Sequence, residues 1–235
     1  MKRLMAGILV MSLMFMHITL EASAVVPTGS ITDIGGHWAQ ADIEKACTQG
    51  LMGGVSEDAQ GAGIFRPDKD LSRAELALIM VRIFALDIDK TKYVRHPTAS
   101  DYYLDVNESD WYARAVILCA VNEVFPFEQQ FRPGESASRL EVAQAIYKCC
   151  VLRKVPLPAV TNSASFEDAG VLSPDQIQAL EFLSVKGIMN GYENHFRPQD
   201  SLSRAEMAVI INRSVSVLEE DGKIWLSGIL MSMGA

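Results

Sequence analysis

The chain has 235 residues, 49% of them hydrophobic, with a formal net charge of −8. That is long enough to bury a substantial core in one or two domains. An acidic balance of this size argues against nucleic acid as a partner, while still allowing a few focused arginines to hold a small anion.

Met1-Lys2-Arg3 opens the chain, and an almost wholly apolar run follows from Leu4 to Leu20. Ala22-Ser23-Ala24 then supplies the small-x-small pattern of a signal peptidase site. Residues 1–24 therefore read as a secretory signal peptide, the alternative being an uncleaved anchor. Beyond it no stretch is apolar for long enough to span a bilayer, so the mature chain is expected outside the membrane. Its four cysteines (Cys47, Cys119, Cys149 and Cys150) lack metal or redox spacing. Cys47 and Cys119 fall on apolar helical stripes, and Cys149 and Cys150 are helix neighbours pointing about 100° apart. Mostly free thiols are expected.

An eleven-residue phrase then recurs without a gap. It begins at Phe65-Arg66-Pro67, at Phe131-Arg132-Pro133 and at Phe196-Arg197-Pro198, and each copy closes on Ser-Arg-x-Glu. The copies lie 66 and 65 residues apart. A fixed period means repeated structural units, none able to bury its apolar face alone.

Unit 1, residues 31–86, starts with Asp33 and His37-Trp38. Trp38, Ile43, Ala46, Cys47 and Gly50 then keep helical spacing, and Gly50 stops the helix. A glycine-rich loop from Met52 to Gly63 leads to Phe-Arg-Pro, an extended turn. Ser72 and Glu75 form a capping box for a second helix, each satisfying a backbone N–H of the other. The pair needs no catalytic explanation.

After a linker at 87–101, unit 2 (102–152) repeats the pattern with Asp105, Trp111 and a helix capped by Ser138 and Glu141. Glu123 stands where unit 1 has Gly50. A second linker, 153–165, precedes unit 3 (166–218), which carries Asp168, a helix from about Ser173 to Lys186, Gly187, and a helix capped by Ser203 and Glu206. Unit 3 has no tryptophan, and Asp175 aligns with Trp38. Residues 219–235 form an apolar tail that either docks on the rest or binds a surface protein partner.

The combination of Asp33, His37-Trp38-Ala39, Gly50-Leu51-Met52-Gly53-Gly54, Phe65-Arg66-Pro67 and Ser72-Arg73-Ala74-Glu75, with its echoes, resembles the S-layer homology family. Gly187-Ile188-Met189-Asn190-Gly191-Tyr192 is similar to that family's glycine-rich turn. The resemblance implies an all-α fold: three helix-loop-helix repeats in a pseudo-threefold spindle around a central three-helix bundle. It also implies a non-enzymatic, secreted cell-surface anchor without cofactor or metal. The expected ligand is a secondary cell wall polysaccharide, pyruvylated in many members, or a peptidoglycan-linked glycan.

Ligand binding carries over to Arg73, Arg139 and Arg204. Arginine's planar fork suits a carboxylate, and each arginine stands at the positive end of a helix. Asp33, Asp105 and Asp168 are candidate acceptors for sugar hydroxyls. Trp38 and Trp111 either stack on the sugar or lie in the core, and Gly54 and Gly191 complete the set. The arginines of Phe-Arg-Pro are read as structural. The site built mainly on unit 1 is the most complete, with no more than two grooves working. Alternatives are a surface assembly module with degenerate glycan sites and, least favoured, a small wall hydrolase.

Overall fold

The computed structural model describes residues 31–59, 61–88, 93–157 and 166–222. The expected signal peptide and most of the apolar tail lie outside the described residues. Six α-helices follow in chain order. They are α1 (Gln40–Thr48), α2 (Arg73–Phe84), α3 (Ala113–Val121), α4 (Arg139–Leu152), α5 (Pro174–Val185) and α6 (Arg204–Glu220). The fold is all-α, as expected. Unit 1's long loop departs locally by forming a two-stranded antiparallel hairpin, β1 (Ser56–Glu57) with β2 (Gly63–Ile64). α6 runs two residues past the expected end of unit 3.

The capping boxes of Ser72, Ser138 and Ser203 are all formed. They start α2, α4 and α6. The entry residues of these helices close a ring. Leu71 N–H donates to Leu202 O (2.8 Å), Leu202 N–H to Ala137 O (3.1 Å), and Ala137 N–H to Leu71 O (2.7 Å). A second cycle lies beside it. The first-turn amides of Arg73, Arg139 and Arg204 donate to Glu135, Asp200 and Lys69 carbonyls, each at 2.9 Å. Helix starts normally leave several N–H groups without partners. Here each neighbouring unit supplies the acceptors, so the threefold contact is also the end-capping.

The short helices pair across units. α1 packs on α6, α3 on α2 and α5 on α4, while α2 also packs on α4. The first helix of the chain thus closes onto the last. Asn212 in α6 fixes the closure by donating to the Asp42 carbonyl oxygen (3.1 Å) and carboxylate (2.7 Å) of α1. One continuous core results, with Phe65, Phe131 and Phe196 all fully buried in it.

α5 differs from α1 and α3. Ser173 caps it, with Pro174 at its first position and Gln176 reciprocating. That signal starts α5 about a turn early relative to the helix-stop position, and the start absorbs the place where the other units carry tryptophan.

Candidate functional site

Each Phe-Arg-Pro turn is held by the aspartate at the head of its own unit. Asp33 accepts from the amides of Phe65 (2.8 Å) and Arg66 (2.6 Å). Asp105 does the same for Phe131 and Arg132, both at 2.7 Å. Asp168 holds Phe196 (2.9 Å) and Arg197 (2.7 Å). The clamp answers a backbone cost, because Arg66, Arg132 and Arg197 all sit at positive φ, between 55° and 60°. The three aspartates, expected as hydroxyl acceptors, therefore spend both carboxylate oxygens on this turn and line none of the grooves described below.

The turn then serves the neighbouring unit. Arg73 donates from Nε to the Phe131 carbonyl (2.7 Å), Arg139 to that of Phe196 (2.8 Å), and Arg204 to that of Phe65 (2.8 Å). Each guanidinium also lies over the ring of the same phenylalanine, at 5.1, 5.1 and 4.4 Å from the centroid. The three arginines are thus brought into one cyclic arrangement, each aimed from one unit into the next. Burial pulls the pKa of all three below the usual arginine value, though arginine starts high enough to stay cationic.

Their partners differ. Arg204, only 3% exposed, donates to Glu75 (2.5 Å) and to the Gly53 carbonyl (2.7 Å). Arg73, 7% exposed, pairs with Glu141. Arg139 is half-buried and donates from Nη2 to the Asn190 carbonyl (3.1 Å). It forms no ion pair among the described residues, although Glu206 caps its helix through one oxygen just as Glu75 and Glu141 do.

Among the described residues three grooves open between the units, and equivalent positions recur in them. The first, about 680 Å³, brings Arg204 of unit 3 together with Gly53-Gly54, Glu75 and Arg82 of unit 1 and Trp111 of unit 2. The second, about 190 Å³, brings Arg139 of unit 2 together with Asn190, Glu206 and Arg213 of unit 3 and Trp38 of unit 1. The third, about 710 Å³, has Phe125-Pro126-Phe127 and Lys148 of unit 2, with Asp175 of unit 3 where the others have tryptophan. Arg73 does not line it. The site expected to rest mainly on unit 1 draws on all three units.

Trp38 and Trp111 are 66% and 51% exposed, which decides for the groove over the core. Gly54 lines the first groove, where an added Cβ would stand 3.2 Å from the Ile64 carbonyl oxygen. Gly191 does not line the second. A Cβ there would meet the Phe166 ring and stand 2.6 Å from the His195 carbonyl oxygen, so this glycine serves packing. The helix-start amides expected to favour an anion are already donated to neighbouring units.

Arg82 and Arg213 were not singled out from sequence. Both follow the capping glutamate by seven residues, Glu75 and Glu206, and Lys148 follows Glu141 in the same way. That third in-phase basic position was the available signal. No group of histidine, cysteine, aspartate or glutamate among the described residues is arranged to hold a metal ion.

A family model described as the S-layer homology domain matches residues 30–77 and 173–208. Those two segments are S-layer homology segments. The middle unit lies outside those matches but repeats the aspartate clamp, the capping box and the arginine geometry of the other two S-layer homology units.

The chain is 28% identical over 156 residues to the Cellulosome-anchoring protein of Acetivibrio thermocellus, spanning 65% of this chain and 34% of that protein. It is 25% identical over 213 residues to the Surface-layer 125 kDa protein of Lysinibacillus sphaericus, spanning 87% of this chain and 17% of that protein. It is 25% identical over 197 residues to the Amylopullulanase of Thermoanaerobacterium thermosulfurigenes, spanning 83% of this chain and 10% of that enzyme. The chain spans about a third or less of these curated relatives. The S-layer homology matches and these relatives place the chain at the cell surface.

Proposed function

We propose that the chain attaches to the cell wall by gripping an acidic saccharide terminus of a wall polysaccharide in its first and second grooves. One observation carries the reading. In both grooves an arginine from a helix start, a second arginine seven residues after the capping glutamate, and an exposed tryptophan converge from three different units. A carboxylate set beside a sugar ring, as in a pyruvate ketal, needs this combination. The guanidinium offers paired N–H donors to the carboxylate, and the indole offers an apolar face to the ring or the ketal methyl.

The balance of charge agrees. The first groove is lined by Lys69, Arg82 and Arg204 against Glu57 and Glu75, and the second by Arg139 and Arg213 against Glu206. Both carry a net positive charge inside a strongly acidic chain, so a polymer acid is drawn to the grooves and repelled elsewhere. Arg139, which forms no ion pair among the described residues, has the most to gain from a ligand's carboxylate.

Co-sedimentation with purified wall polymer, before and after acid removal of its pyruvate, tests the reading. Binding is expected before removal and lost after it. Equal binding to both preparations, or full binding by a folded Arg139→Ala/Arg82→Ala variant, would refute it.

A further inference from the structure

The third groove is as roomy as the first but has reversed its chemistry. Phe125 and Phe131 cover the Arg73 guanidinium, at 5.9 and 5.1 Å from the ring centroids, and Glu141 pairs with it, so that no arginine faces the groove. Lys148 takes the place of Arg82 and Arg213 and is tied to Glu123 at 3.2 Å. Asp175 takes the place of tryptophan. Among the described lining residues one cation, Lys148, now faces two carboxylates, Glu123 and Asp175, where the first groove sets three cations against two. An acid-terminated saccharide is therefore repelled here.

What the groove offers instead is ring surface. Pro126-Phe127 replaces the glycine pair of the first groove, and Phe127 is 75% exposed. Tyr93, Tyr102 and Tyr147 also line the groove, together with Gln144 and Gln178. Aromatic faces interleaved with hydroxyl and amide groups suit a ligand with apolar C–H faces and hydroxyl edges. A wholly apolar peptide would leave those polar groups without partners.

We infer that this groove binds an uncharged, hydroxyl-rich saccharide by stacking, so that one chain reads two chemically different parts of the wall. The inference takes the saccharide class from the function proposed above. Its own support is the altered charge and ring lining of the third groove.

The test uses the full-length chain and two probes: the trimer of N-acetylglucosamine, uncharged, and a glucuronate-terminated disaccharide, carboxylated. Affinities are read by saturation-transfer NMR, with melting curves as the control for folding. The trimer is expected to bind, to weaken about tenfold or more in Phe127→Ser and Gln178→Ala, and to be unchanged in Arg139→Ala. The glucuronate probe is expected to show the opposite pattern. Trimer binding that ignores Phe127→Ser, or that quenches the exposed tryptophans of the other grooves, would overturn the inference. So would the absence of trimer binding at roughly 10 mM. Loss of the glucuronate response alone would count against the first two grooves and leave the third standing.

Discussion

Arg204 donates to Glu75 at 2.5 Å across the join between the last unit and the first, whereas Arg139, its counterpart one unit earlier, meets no carboxylate from Glu206. Three arginines that look identical in sequence thus do different work. One closes the molecule, and another keeps its charge available.

The first prediction follows from that inequality. Arg204→Ala leaves Glu75, itself largely buried, without its cation, and an unpaired buried charge costs about 3–5 kcal/mol. Its melting temperature should fall sharply, and wall binding should fail along with the fold. Arg139→Ala should melt within a few degrees of the parent yet lose wall binding. Equal destabilisation by the two substitutions would contradict the geometry.

The aspartate clamp gives a second prediction. Asp33→Ala removes two charge-assisted bonds that hold Arg66 at positive φ. The loss should be about 2–3 kcal/mol in urea unfolding. Glycine adopts positive φ without that cost, so Asp33→Ala should hurt less when Arg66→Gly is already present. A double-mutant cycle reads the coupling directly, and additivity would show the clamp to be idle.

A third prediction concerns the ring of backbone bonds. Ala137→Pro deletes the N–H that Leu71 O accepts, and Ala137 is fully buried. Orphaning that carbonyl should cost about 1–3 kcal/mol, more than the roughly 1 kcal/mol expected for losing the cap in Ser138→Ala. Because the ring joins three units, hydrogen exchange in the variant should rise at the amides of Leu202 and Leu71, which donate the ring's other two bonds. Exchange confined to unit 2 would mean that the ring transmits nothing.

Much of this was legible in the sequence because it is local. Ser72, Ser138 and Ser203 with their glutamates announce three helix starts, and all three capping boxes form. The loss of tryptophan at Asp175 also marked the groove that differs. What stayed hidden is the pairing between units. Nothing in residues 40–48 says that α1 will pack on α6, because an apolar stripe specifies burial but not a partner. Asp33 misled for the same reason. A carboxylate at a unit's head is compatible with a sugar hydroxyl or with two amides 32 and 33 residues away, and only the fold decides between them.

The cysteines give a fourth prediction. All four are free and buried, and burial pushes Cys47 up to about 11 and Cys150 up to about 12, with Cys119 and Cys149 also raised. Thiolate is the reactive form, so a disulfide-exchange reagent at pH 8 should find almost no fast thiol in the native chain. Four should titrate in denaturant. Two or more reacting quickly without denaturant would show that the packing around α3 and α4 opens readily.

The last prediction is a pH dependence. Burial alone would raise the Asp168 carboxyl, but the amide bonds from Phe196 and Arg197 outweigh it and hold the group below the ordinary carboxylate range. A carboxyl favoured in the folded state as its anion binds protons more readily once unfolded. Its contribution to stability is therefore complete above the unfolded value, about 3.9, and is lost as pH falls through the lower folded value. Urea midpoints measured between pH 5 and pH 2 should fall for the parent chain. Asp168→Asn should start lower and lose less over the same range, since its side chain does not titrate there. Parallel curves for the two proteins would mean that this clamp does not sense acid.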